Sequence, residues 1–179
     1  MSKEPLIPDS EDIDRSAEPI GNEEALVRLL CSPCYFNVEL NIVNIDAFDL
    51  RTLQNGTLEE FVSLARINAF SSEKKLEEFL ATKGYKIWDD KPNVEDGYYG
   101  YGIFNCRDAR EVHSMIEINP LIGQNKKHIG LFYKHPSGGY YRGPLPKTDH
   151  EILEVLSDLA NLLIVQKAPV RLKTRKSEN

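Results

Sequence analysis

Apolar and polar positions change period several times along this chain, and each change predicts an element. In "NEEALVRLL" (22–30), Leu26, Leu29 and Leu30 fall at helical spacing behind an Asn cap and first-turn acids, which predicts a helix stopped at Pro33. "YFNVELNIVNIDAF" then alternates, with Phe36, Val38, Leu40 and Ile42 two apart, the pattern of a half-buried strand. After the turn at "NGT", Thr57 and Glu60 have capping-box spacing, and Leu58, Phe61, Val62 and Ala65 share one helical face. "SSEKKLEEFLATKG" predicts a cleaner helix, with a Ser cap, Leu76, Phe79 and Leu80 facing inward and Gly84 as the stop.

From Tyr85 to about Arg142 the runs become strand-like: "YKIW", "GYYGYGIF", "EVHSMIEI", "HIGLFYK" and "GGYYRG", separated by turns rich in Gly, Pro, Asn and Asp. "KTDHEILEVLSDLANLLIVQK" follows, with Thr148 and Glu151 as a second capping box. Ile152, Leu153, Val155, Leu156, Leu159, Leu162 and Leu163 form a broad apolar face. Runs of helices beside runs of strands predict an α+β fold. The expected architecture is an antiparallel sheet of about four to five strands packed by three to four helices, with a long C-terminal helix and a disordered acidic N-terminal tail. The expected boundaries are an acidic tail at 1–21, a single domain at 22–167 and a basic tail at 168–179.

A chain of 179 residues is long enough for one self-sufficient core, and 41% hydrophobic with 28% charged residues is ordinary for a globular protein. No apolar run is long enough to cross a bilayer, and the start is acidic with no leader-like apolar stretch, so a cytoplasmic protein without membrane contact is expected. The net charge of −6 argues against general nucleic-acid binding. The charge is uneven: residues 1–24 hold eight acids against Lys3 and Arg15, whereas the last thirteen hold five bases against Glu178. An acidic arm suits a basic partner, and the basic tail offers a weaker route to RNA.

"LLCSPCYF" places Cys31 and Cys34 two residues apart. A tetrahedral zinc site needs four ligands, and only Cys106 and His113 remain to complete Cys31 and Cys34; their spacing is unusual for a second ligand pair. A redox pair belongs at a helix start, where the dipole lowers the thiol pKa, whereas these cysteines follow a predicted helix. The structural reading, two small buried side chains at a helix exit, is therefore expected, with no metal and no cofactor.

"GYYGYG" (97–102) resembles a phosphate loop only in composition, because it alternates as a strand and no capped helix follows. Five of the eight tyrosines lie beside glycines in "YYGY" and "YY". Tyr99, Tyr101, Tyr140 and Tyr141, with Arg142, are the candidate anchors of a protein-recognition surface; the same residues could instead be cross-strand aromatic pairs.

The segments "ALVRLLCSPCYF", "NIDAF", "FVSLARINAF" and "KHIGLFY" fall in an order that resembles a small uncharacterised bacterial protein family. That family has a Leu-x-Arg segment, a short segment ending in Ala-Phe, a Leu-Ser-Val-like segment, and a His followed by small and apolar residues. Arg28, Phe48, Ser63, Arg66 and His128 are the matching positions, with Val-Ser-Leu standing here for Leu-Ser-Val. The resemblance implies a bacterial source and no defined activity. Arg28 and Ser63 also suit an ADP-ribosyltransferase-like arrangement, in which an early Arg grips pyrophosphate, a Ser supports the nicotinamide ribose and a late Glu orients the sugar. Glu117 is the nearest acid to that last role, and Arg28 lies in a helical pattern.

The reading favoured from sequence is a non-enzymatic cytoplasmic bacterial protein that binds another protein, an immunity- or antitoxin-like accessory. Its rival is a small nucleotide-handling enzyme using Arg28, Ser63 and His128. The two differ in one observable: the enzyme needs those three residues around one cavity.

Overall fold

The computed structural model describes residues 6–7, 10–30, 33–53, 55–89, 98–123 and 126–171. In chain order the strands are β1 (Leu6–Ile7), β2 (Ala25–Leu29), β3 (Phe36–Asn37), β4 (Ile42–Val43), β5 (Val62–Arg66), β6 (Tyr98–Asn105), β7 (Ile116–Pro120), β8 (His128–Tyr133), β9 (Tyr140–Tyr141) and β10 (Ile164–Arg171). The α-helices are α1 (Glu73–Asp89), α2 (Cys106–Val112) and α3 (His150–Leu162). Six strands form one antiparallel sheet in the order β10-β6-β2-β5-β8-β7, and β1-β9 and β3-β4 form two small ribbons.

One face of the sheet carries the main core. Leu26, Leu30, Val62, Leu64, Phe104, Ile129 and Leu131 pack there against Ala109 of α2 and against Ile152, Val155, Leu156 and Leu159 of α3. The opposite face is covered in two pieces. Leu76 and Leu80 of α1 sit over Val27, Leu29, Ala65, Tyr99 and Tyr101. Beyond a gap, Ile13, Leu121 and Tyr140 cover Phe132.

The architecture is mixed α+β, and its composition corrects the expectation. The main sheet has six strands, not four or five, and α3 is neither the longest helix nor the last element, because β10 follows it and pairs with β6. The acidic N-terminal segment is ordered where it is described. Ile13 and Ile20 are buried, and the Asp14 amide donates to the Pro120 carbonyl along the outer edge of β7.

Two predicted helices are strands. "ALVRL" and "VSLAR" form β2 and β5 in the middle of the sheet, where adjacent apolar residues (Leu26 and Val27, Leu64 and Ala65) are buried on opposite faces, so the strict period of two is lost. The predicted strand at 36–42 is a tight reversal. The Asn37 side chain accepts from the Leu40 amide, and Asn41 adopts a left-handed φ of 55°, so turn chemistry overrides the alternation. Gly84 does not stop α1, which runs on to Asp89 and absorbs the predicted strand "YKIW". At α3 the cap is Asp149, whose side chain accepts from the Glu151 amide, one residue beyond the predicted Thr148.

Candidate functional site

The gap between the two covers is a cavity of about 270 Å³ beside α1. Arg28, Ser63 and His128 all line it, together with Arg51, Glu59, Phe79, Leu80 and Lys83. The opening exists because the central strands part company. β2 and β5 pair only through Leu26–Arg66 and Val27–Ala65; beyond that point β2 continues with β6 and β5 continues with β8.

Arg28 sits where they separate. It is only 7% exposed; its Nε donates to the Ala47 carbonyl at 2.7 Å and one terminal nitrogen donates to the Ser63 carbonyl at 3.2 Å. The guanidinium also lies 5.2 Å from the Tyr35 ring centroid. Arg28 thus supplies ladder hydrogen bonding that β2 no longer provides, from the sheet face that carries Leu26 and Leu30.

Ser63 is exposed on β5. His128 opens β8 opposite Ala65, which places its ring on the same sheet face as Ser63. Phe61 meets the imidazole edge-on at 6.3 Å. Burial, and then the neighbouring Lys83 charge, push the His128 pKa down to about 4, so the ring is neutral at physiological pH. A neutral imidazole there can accept a hydrogen bond. At the mouth Arg51 grips Glu59 in a bidentate pair, with contacts of 2.7 to 3.2 Å. Lys83 lies over Phe79 at 5.4 Å.

Sequence reasoning missed Arg51, Glu59, Phe79 and Lys83. Phe79 and Lys83 carried a signal, being four residues apart on one face of a helix. Arg51 and Glu59 carried none, since their pairing depends on how the chain returns after the turn at 55–57. Of the other positions in the family resemblance, Phe48 is fully buried in the main core, and Arg66 pairs through two nitrogens with Glu24. Glu117 is away from the cavity, beside Arg15 and Tyr140.

The candidate tyrosine anchors do not form one surface. Tyr99 and Tyr101 lie beneath α1 with their rings stacked 6.3 Å apart, and both hydroxyls reach Glu77. Tyr140 packs on Phe132, and Tyr141 lies 4.6 Å from the His135 ring. All four are at most 6% exposed, so their faces serve the core. Arg142 is half-buried, and its Nε has no hydrogen-bond partner among the described residues. The glycines of "GYYGYG" serve packing: a Cβ on Gly100 would come within 2.6 Å of the Lys167 carbonyl oxygen, and one on Gly102 within 2.5 Å of Leu163.

Cys31 lies outside the described residues. Cys34 is exposed rather than buried, Cys106 is buried at the start of α2, and His113 contacts Glu151. Among the described residues no group of three or more His, Cys, Asp or Glu side chains is placed to hold a metal ion, and no helix is long and apolar enough to cross a membrane. Comparison with protein-family models, with curated proteins and with solved structures finds no match to this chain.

Proposed function

We propose that this chain is a cytoplasmic nucleotide-handling protein whose ligand enters the cleft beside α1. The observation that supports this most is the convergence of Arg28, Ser63 and His128, from three different strands, on one cavity. Lys83 would meet a phosphate, the Ser63 hydroxyl would hydrogen-bond a ribose, and neutral His128 would accept a hydrogen bond. Glu59, held by Arg51, is the carboxylate lining the cavity and takes the place considered for Glu117 in an ADP-ribosyltransferase-like arrangement. Calorimetric titration with AMP and ADP tests the proposal. Saturable binding, weakened at least tenfold in Lys83→Glu and in Ser63→Val, is expected; no binding of either nucleotide to the folded wild type overturns it.

A second reading, contact with another protein, draws on a different observation. The β3-β4 ribbon exposes Val38 (74%), Leu40 (66%) and Ile42 (49%) together. A partner captured by the wild type and lost in Val38→Asp/Leu40→Asp would support it. Capture unchanged in that variant would remove the ribbon from consideration.

A further inference from the structure

The cleft does not end at His128. That residue also lines a second hollow of about 500 Å³, whose walls include Arg66 and Lys126. Arg66 and Lys126 in turn line a third, of about 300 Å³, with Lys127 and Asn68. Six cationic side chains line the three adjoining hollows beside Glu59, Asp14 and Glu18. Arg51 is paired with Glu59, Arg66 with Glu24, and Arg28 is buried, so the lysines Lys83, Lys126 and Lys127 supply the cationic surface, although the chain as a whole carries a net charge of −6.

Aromatic rings are interleaved with those charges. Lys127 Nζ lies 5.2 Å from the Phe70 centroid, Phe70 lies 5.1 Å from Phe79, and Lys83 Nζ lies 5.4 Å from Phe79. This row links the third hollow to the cleft by a second route. Both rings are half-buried, so each is anchored below and offers surface above. A phosphate competing for the two lysine ammonium groups would draw them off the rings and open the ring faces to a base.

We infer that the ligand of this site is the end of a single-stranded nucleic acid. Its terminal nucleotide occupies the cleft, and its following phosphates track along Lys126 and Lys127, with Phe70 and Phe79 as stacking platforms. Cationic grooves with interspersed aromatic side chains bind single strands in this way, with little dependence on sequence. A free nucleotide needs only the first hollow and does not reach Lys126 and Lys127. A double helix is disfavoured because, among the described residues, Lys126 and Lys127 lie in a turn before β8 and on no helix or ribbon that could enter a groove. The inference rests on the proposal that the cleft holds a nucleotide.

Fluorescence anisotropy with 5′-labelled hexaadenylate, as RNA and as DNA, and calorimetry with AMP separate the two ideas. The full chain and Lys126→Glu/Lys127→Glu would be compared at low and moderate salt. The expected result is hexamer binding at least tenfold tighter than AMP at low salt, with the difference shrinking as salt rises. The double variant should lose that advantage while its AMP affinity stays within twofold. AMP binding without a tighter hexamer overturns the strand and leaves the nucleotide cleft standing. Hexamer binding that the double variant retains in full also overturns the assigned track. Binding of neither overturns both. Lys126 is exposed and Lys127 half-buried, and an unchanged unfolding midpoint checks that the variant is folded.

Discussion

The Arg28 guanidinium donates to the main-chain carbonyl of Ser63 at 3.2 Å, across the point where β2 and β5 cease to pair. A side chain standing in for a ladder hydrogen bond keeps the sheet continuous around an opening. Fold and cleft therefore depend on the same residue. Removing the guanidinium leaves the Ala47 and Ser63 carbonyls without their donor, so Arg28→Met should destabilise the fold by about 2–4 kcal/mol. Urea unfolding measures this; a midpoint equal to wild type would show that the two bonds are dispensable.

Acid should weaken the protein through His128. Its pKa is pushed down to about 4 in the folded chain, below the ordinary 6.5, chiefly by burial and then by Lys83. Between those values the unfolded chain binds a proton that the folded chain refuses. The stabilising contribution is thus complete above about pH 6.5, falls as pH drops towards 4, and changes little below that. Glu60, whose pKa is raised chiefly by burial, works in the opposite direction. The difference between wild type and His128→Gln isolates the histidine: as pH is lowered from 7 to 4, unfolding midpoints should fall more steeply in the wild type.

Gly100 allows β10 to cross β6 closely. The irregular register of that pair, with shifts between Val165 and Lys167 and between Lys167 and Val170, brings the Lys167 carbonyl and Pro169 against the Gly100 Cα. Gly100→Ala must push backbone, not a flexible side chain, and should cost about 1–3 kcal/mol. Hydrogen exchange should show β10 amides losing protection first; uniform loss across the sheet would contradict this local account.

The two described cysteines should differ sharply in reactivity. Cys34 is exposed, whereas Cys106 is buried and its thiol pKa is raised, chiefly by that burial. In a Cys31→Ser background, a colorimetric thiol reagent should modify one thiol within the mixing phase and the second only on unfolding. Two fast thiols would mean that α2 opens readily.

Several features were legible in the residues because they are local. α3 announces itself by a wide apolar face, and β6 and β8 by short aromatic and β-branched runs between turns. Arg28, Ser63 and His128 were singled out only by resemblance to short family segments, which gave no reason for them to meet.

Tertiary structure decided the rest. β2 and β5 lie at the centre of the sheet, and covering both faces erases the alternation that marks a strand, so Leu26, Leu29 and Leu30 mimic a helix. Glycine beside tyrosine reads as a recognition surface in sequence, yet here it makes room for Lys167 and Leu163 while the rings go under α1. The acidic N-terminal segment looks too polar to order, but the edge of β7 supplies a hydrogen-bond partner and Ile13 finds cover against Leu121. The cleft itself arises from where two strands stop pairing. That is set by packing between segments distant along the chain, which no local pattern encodes.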